Sequence, residues 1–75
     1  MNPKEFEKLD YLFGEALFKM GIEAYLNYKE KNNYIMVYLY LDKEADNPIS
    51  FEAPVLKTSA ELVAYIKVKY PEYLL

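Results

Sequence analysis

The side chains that could carry chemistry in this sequence are carboxylates, lysine ammonium groups and tyrosine phenols. The chain contains no His, Cys, Trp, Arg or Gln, so all nine of its positive charges are lysines. Without His and Cys it lacks the usual general base near neutral pH, the thiolate nucleophile and the common zinc ligands. Without Arg it lacks the bidentate guanidinium group that recognises phosphate and guanine. Any metal binding would therefore depend on carboxylates alone.

Carboxylates are concentrated in the segment 42–52, which contains four of them: Asp42, Glu44, Asp46 and Glu52. The first three have the alternating spacing that begins an EF-hand calcium loop. The match then fails, because Asn47 replaces the glycine and Ala53 replaces the bidentate glutamate of that motif. A solvated turn is therefore predicted here, with no metal ion and no other cofactor.

A second carboxylate pair, Glu23 and Asp42, could lie side by side in a hairpin, which is an arrangement that general acid–base catalysis uses. A sheet surface offers no cleft for a substrate, however, and a small domain has little volume for one. The sequence therefore predicts a protein that is not an enzyme.

Strict alternation in the segment 32–42 predicts a strand with two apolar faces of different kinds. One face is aliphatic and contains Ile35, Val37, Leu39 and Leu41. The other face contains tyrosine and methionine, and Tyr25 of the strand predicted before it lies on the same side. Together these residues are the predicted protein-binding surface: Tyr25, Tyr34, Met36, Tyr38 and Tyr40. Tyrosine and methionine are frequent at interface centres because they give a large contact area at low entropic cost. The aromatic residues could instead simply pair across strands, or the C-terminal residues 71–75 could fold over them.

Capping signals predict a first helix that begins after Asn2 and ends at Gly21. Pro3 and Glu5 complete the N-terminal signal, and glycine just past the last apolar position suits a left-handed cap. The apolar stripe of this helix recurs at three- and four-residue steps and contains Phe6, Leu9, Phe13, Ala16, Leu17 and Met20.

A strand over 22–30 is predicted to form a hairpin with the tyrosine-bearing strand. Ile22, Ala24, Leu26 and Tyr28 alternate there with Glu23, Tyr25, Asn27 and Lys29. The loop is either Asn32 and Asn33 alone or residues 30–33, and both registers put Leu26 on the same face as Val37. A turn over 42–48 then leads to a third strand, in which Ile49, Phe51 and Val55 alternate with polar residues. Pro54 assigns that strand to an edge of the sheet.

Thr58 and Glu61 form a second capping box and predict a final helix that ends before Pro71. Its inward-facing residues are Leu62, Tyr65 and Ile66, together with Val63 and Tyr70. The sequence thus predicts one α+β domain over residues 1–75, with the order α-β-β-β-α and both helices on the aliphatic face of a three-stranded antiparallel meander.

This order of elements resembles the double-stranded RNA-binding domain, in topology only. Domains of that kind contact phosphates through lysines at the start of the final helix, where this chain has TSAEL and Glu61 would repel them. The net charge is −3 and the lysines are scattered along the sequence. Nucleic-acid binding is therefore disfavoured, although scattered lysines could still cluster in space.

The function that the sequence favours is protein binding through the tyrosine-bearing surface, with a homodimer as the simplest arrangement. By analogy, the size and acidity suit an inhibitor or adaptor encoded by a phage or another mobile element. The alternative is an acidic nucleic-acid mimic whose carboxylates, Asp42, Glu44, Asp46 and Glu52, enter a basic groove. No apolar run approaches the roughly 20 residues of a membrane span, and we expect a cytoplasmic protein without membrane contact.

Overall fold

The computed structural model describes residues 1–42, 44 and 46–74. Lys43 and Ala45, which belong to the predicted turn, and Leu75 of the predicted tail lie outside the described residues. The helices are α1 (Pro3–Lys19) and α2 (Ser59–Lys69), and the strands are β1 (Glu23–Lys29), β2 (Tyr34–Tyr40) and β3 (Ile49–Pro54). Short 3₁₀ turns follow β1 at Glu30–Asn32 and α2 at Pro71–Tyr73. The predicted α+β class and element order are confirmed.

The N-terminal caps of both helices form as predicted. The side-chain oxygen of Asn2 accepts a hydrogen bond from the backbone N–H of Glu5 at 2.8 Å, and the Asn2 amide donates to the Glu5 carboxylate at 2.8 Å. The Thr58 hydroxyl oxygen accepts from the backbone N–H of Glu61 at 3.1 Å. The bonds from the backbone N–H groups of Glu5 and Glu61 satisfy donors that the first turn of a helix leaves without partners.

Gly21 ends α1 in a left-handed conformation, with φ of 81°. Its N–H donates to the carbonyl of Phe18, and the N–H of Ile22 donates to the carbonyl of Leu17. This pair of bonds is a Schellman motif, in which a residue with a Cβ would be strained at the glycine position. The motif directs the chain from α1 straight into β1.

β1 and β2 form an antiparallel hairpin in which Lys29 lies opposite Tyr34. Of the two registers compatible with the sequence, the structure has the one with the loop 30–33. A 3₁₀ turn occupies most of this loop, and Asn33 closes it with a positive φ of 53°, which asparagine tolerates. Leu26 is opposite Val37, so the predicted sharing of faces is confirmed.

β3 pairs with β2, and the strand order β1-β2-β3 makes β1 and β3 the edges of the sheet. β3 is therefore the edge strand that Pro54 predicts. Proline has no N–H for a further neighbouring strand and is confined to such positions.

The core lies between the aliphatic face of the sheet and the two helices. The sheet contributes Leu26, Ile35, Val37, Leu39, Phe51 and Ala53, and the helices contribute Leu9, Phe13, Leu17, Leu62 and Ile66. Because one cluster contains residues of both helices and of one sheet face, both helices pack on that face, as predicted. Neither of these α-helices combines the length and apolarity that a membrane crossing requires.

Two residues predicted for the core lie outside it. Leu41 is 37% exposed because β2 ends at Tyr40, so Leu41 is no longer held on the aliphatic face by strand pairing. Met20 is 46% exposed because the last helical residue is Lys19 and Met20 already belongs to the cap.

The C-terminal residues pack on the core side of the sheet. The ring centroid of Phe51 lies 4.3 Å from that of Tyr70 and 5.9 Å from that of Tyr73. Phe51 is opposite Val37 and therefore belongs to the aliphatic face. The described part of the tail covers Phe51 and not the tyrosines of β2.

Candidate protein-binding surface

Five predicted side chains lie on the side of the sheet opposite the core, and we call them the tyrosine face: Tyr25, Tyr34, Met36, Tyr38 and Tyr40. Cross-strand pairing brings the β1 member to the others, since Tyr25 is directly opposite Tyr38. Tyr25 is 41% exposed, and the four β2 residues are half-buried. Because the two helices and the described tail pack on the other side, no described element covers this surface.

Three rings of the tyrosine face form a cluster around Tyr25. The rings of Tyr25 and Tyr38 are stacked, with centroids 4.7 Å apart and an angle of 10° between their planes. The Tyr40 ring lies 6.3 Å from Tyr25 in a tilted arrangement. Aromatic pairs in this distance range attract each other beyond the effect of area burial. The cluster is therefore a preorganised platform of two nearly parallel rings, Tyr25 and Tyr38, with the tilted Tyr40 ring beside them.

The environment of Tyr25 raises its pKa above the usual 10.0. The largest cause is desolvation by the neighbouring side chains, followed by the charge and hydroxyl group of Tyr40 and then the charge of Tyr38. Each of these disfavours the phenolate. At neutral pH Tyr25 thus carries an uncharged phenol that can donate and accept hydrogen bonds.

Polar residues of the flanking strands complete this side of the sheet: Glu23, Asn27, Lys29, Ser50 and Glu52. Each is the direct cross-strand neighbour of a tyrosine or methionine of β2. Glu23 is opposite Tyr40, where the acidic loop also begins, whereas Lys29 is opposite Tyr34 at the far end. The surface is therefore aromatic in the middle and acidic towards the Tyr40 end.

The four predicted acidic residues are divided between a strand and a loop. Glu52 lies on β3 opposite Met36, beside the tyrosine face. Asp42, Glu44 and Asp46 are exposed in the β2–β3 loop, where the Asp42 carboxylate accepts a hydrogen bond from the N–H of Glu44 at 3.1 Å. Within the described ranges, no three His, Cys, Asp or Glu side chains are grouped to hold a metal ion.

The expected pairing of Glu23 with Asp42 is wrong for a simple geometric reason. The four-residue loop sets the register, and Glu23 lies opposite Tyr40. Only the shorter loop would have brought the two carboxylates to opposite positions. The hairpin therefore places a carboxylate next to a phenol and not next to a second carboxylate.

A surface that the sequence prediction missed lies beside the tyrosine face, between α1 and β1. We call it the α1/β1 groove. It is a shallow depression of about 400 Å³ lined by Asp10, Tyr11, Gly14, Glu15, Phe18, Glu23, Ala24 and Tyr25. Tyr11 is 67% exposed and Phe18 is 75% exposed. The sequence signal was their seven-residue spacing, which gives α1 a second, non-core apolar side.

Asp10 holds α1 against the edge of β1 at the bottom of this groove. Its carboxylate oxygen Oδ1 accepts a hydrogen bond from the backbone N–H of Leu26 at 2.9 Å. Since the edge of an antiparallel sheet presents unpaired N–H groups, this bond occupies a position that another strand could otherwise use. Local sequence patterns carry no signal for a contact between residues sixteen positions apart.

A second shallow groove, of about 380 Å³, lies between α1 and α2. It is lined by Ala16, Met20, Ser59, Ala60, Val63, Ala64 and Lys67. Among its described lining residues none is aromatic and the charged one is a lysine, so it lacks the features that distinguish the α1/β1 groove.

Comparisons with protein-family models, with curated proteins and with solved structures found no match to this chain. A function for the chain therefore depends on the geometry and chemistry of its own surfaces.

Proposed function

We propose that this chain is a non-enzymatic protein-binding module whose tyrosine face contacts a polypeptide partner. The observation that carries the proposal is that, on the sheet side left open by both helices, every residue of the central strand β2 is a tyrosine or methionine. The outer face of such a sheet ordinarily carries charged and polar residues. Tyrosine supplies rigid contact area, and its hydroxyl group finds hydrogen-bond partners both in water and in a complex.

The dimensions of the tyrosine face favour a segment of a partner over a broad contact between domains. Three strands, two of seven residues and one of six, span at most roughly 24 by 14 Å, given a rise of about 3.4 Å per residue and about 4.8 Å between strands. This flat area of roughly 340 Å² is below the about 800 Å² per partner of a standard stable interface. A homodimer held by this face alone would therefore be weak, and light scattering over a concentration series measures it.

Replacing Tyr38 and Tyr40 by lysine tests the proposal. The partner is captured from a bacterial lysate on the immobilised chain, and the captured protein is quantified by mass spectrometry. We expect the Tyr38→Lys, Tyr40→Lys variant to capture less of the partner than the wild-type chain, by a factor of about ten or more. A tenfold reduction corresponds to a loss of about 1.4 kcal/mol in binding free energy. Circular dichroism checks the fold, and a Tyr38→Thr, Tyr40→Thr variant keeps strand propensity while removing the rings.

The matched control is Ala64→Lys, Val68→Lys, which adds the same charge on exposed positions of α2. We expect this control to bind like the wild-type chain. Equal retention by the tyrosine variant and the wild type would place the binding surface elsewhere.

A third variant separates the proposal from nucleic-acid mimicry. Asp42→Asn, Glu44→Gln, Asp46→Asn removes the loop charges and leaves the rings intact. If this variant loses the partner while the tyrosine variant keeps it, the acidic loop is the binding surface. Salt-sensitive binding of duplex RNA or DNA by the wild-type chain would instead support a function like that of the double-stranded RNA-binding domain.

A further inference from the structure

We infer that the α1/β1 groove receives one apolar anchor side chain from a basic segment of the protein partner. The inference rests on the proposed function, because it assigns part of the contact with the same partner. The groove and the tyrosine face share Tyr25, so a segment lying in the groove continues directly onto the ring platform.

The walls of the groove are apolar side chains that the folded chain leaves in water. Phe18 and Tyr11 are 75% and 67% exposed, and two helical turns separate them on the same side of α1. Tyr25 of β1 forms the facing wall. Contact with an apolar side chain would remove these surfaces from water, which is the main favourable term in most protein association.

The floor of the groove is open because its residues are small. A Cβ atom on Gly14 would lie 3.4 Å from the carbonyl oxygen of Ala24, an ordinary van der Waals distance. A larger side chain at this position would therefore extend into the space between α1 and β1. Glycine in the interior of a helix is less stable than alanine. Its presence here lets the α1 backbone lie close to the backbone of β1 and leaves this part of the floor without a side chain.

The charge of the groove identifies the partner segment as basic. Three carboxylates line it, from Asp10, Glu15 and Glu23, and none of its described lining residues is a lysine. Lys19 lies 3.8 Å from the Glu15 carboxylate, but this pair is exposed, and among the described residues no lysine forms an ion pair with Asp10 or Glu23. Complementary charge steers association and selects partners, so lysine or arginine residues flanking the anchor would be favoured.

A second copy of the chain is a poorer occupant than a basic segment. The chain carries a net charge of −3, and the acidic rim of one copy would meet like charge on another. The edge of β1 beside the groove is also occupied by the hydrogen bond that the Leu26 N–H donates to the Asp10 carboxylate, which blocks simple strand addition.

Blocked pentapeptides provide the probe for this inference. The first has one phenylalanine between two pairs of lysines, the second has serine in place of the phenylalanine, and the third has glutamates in place of the lysines. Nuclear magnetic resonance follows the backbone amides of the full chain during titration. We expect the first peptide to shift Gly14 and Ala24 and to bind at least about tenfold more tightly than the other two.

Two groove variants and one control complete the experiment. Phe18→Ser removes a wall and Gly14→Leu fills the floor, and each should weaken the first peptide by about tenfold or more. Val68→Ser, at another exposed apolar position, should leave binding unchanged. Because Phe18 is exposed, its variant remains informative even if Gly14→Leu disturbs the packing of α1 on β1.

The inference is overturned if the first peptide does not bind, if the three peptides bind equally, or if neither groove variant weakens binding. None of these results bears on the lysine substitutions at Tyr38 and Tyr40, which test the tyrosine face separately. If the tyrosine variant loses the partner and the two groove variants keep it, the tyrosine face binds the partner and the groove does not.

Discussion

At the scale of single residues, Tyr25 connects the two surfaces that the fold leaves open. Its ring stacks on Tyr38 within the tyrosine face, and it also forms one wall of the α1/β1 groove. It can do both because β1 is an edge strand, with β2 on one side and the groove that residues of α1 also line on the other. Single substitutions at Tyr25 should therefore affect contacts on both surfaces.

The raised pKa of Tyr25 predicts a specific dependence of stability on pH. The folded state holds the phenol proton more tightly than the unfolded chain, whose phenol has its usual pKa of 10.0. This contribution to the free energy of unfolding is complete below pH 10.0 and is lost as the pH rises through the folded-state pKa. As the pH rises above 10.0, the free energy of unfolding of Tyr25→Phe should therefore fall less than that of the wild type. Urea denaturation at a series of pH values measures the difference.

The cause of the raised pKa can be tested separately by titrating the Tyr25 ring with nuclear magnetic resonance. Desolvation is the largest cause, and Tyr40 supplies the next two. Tyr40→Phe should therefore lower the pKa of Tyr25 part of the way towards 10.0. An unchanged pKa in this variant would contradict the cluster geometry.

At the scale of elements, the two edges of the sheet are protected in different ways, which leaves the open face as the available surface. The bond from the Leu26 N–H to Asp10 places α1 along the β1 edge. The backbone N–H and C=O groups of successive residues in an antiparallel strand point alternately to its two sides. On β3, those of Ser50 and Glu52 point away from β2. Pro48 and Pro54, which lack N–H groups, flank this short stretch and limit strand addition.

Removing the Asp10 carboxylate should destabilise the fold and uncover the β1 edge. Asp10→Ala leaves the N–H of the buried residue Leu26 without its partner, and we expect the free energy of unfolding to fall by about 1–3 kcal/mol. Asp10→Asn keeps an acceptor oxygen and should lose clearly less. Chemical denaturation of the three chains measures the difference, and an alanine variant as stable as the wild type would show that the bond contributes nothing.

At the scale of the whole molecule, the sequence patterns predict the order of elements, both helix caps and the division of the sheet into two unlike faces. These features follow from local periodicity and capping chemistry. The sequence could not decide between the two hairpin registers. Their loops differ by two residues, so both registers place every residue on the same face of the sheet. The structure has the longer loop, in which Asn33 takes the left-handed conformation.

The features that sequence patterns did not predict depend on where elements end and on which distant residues meet. Leu41 follows the alternation of β2 but lies past its last residue, Tyr40. Phe18 lies on a helix side that periodicity assigns to solvent, and its groove exists only because β1 packs beside α1. The contact between Asp10 and Leu26 likewise requires the folded arrangement of helix and strand.

The most direct test of the central claim, that the tyrosine face is the binding surface, is site-specific photo-crosslinking. A photoreactive phenylalanine analogue replaces Tyr38 in one chain and the exposed Val68 of α2 in another, and each is irradiated in a bacterial lysate. We expect a covalent adduct from position 38 and none from position 68, with the adduct mass distinguishing a second copy from another protein. An adduct from position 68 but none from position 38 would contradict the claim.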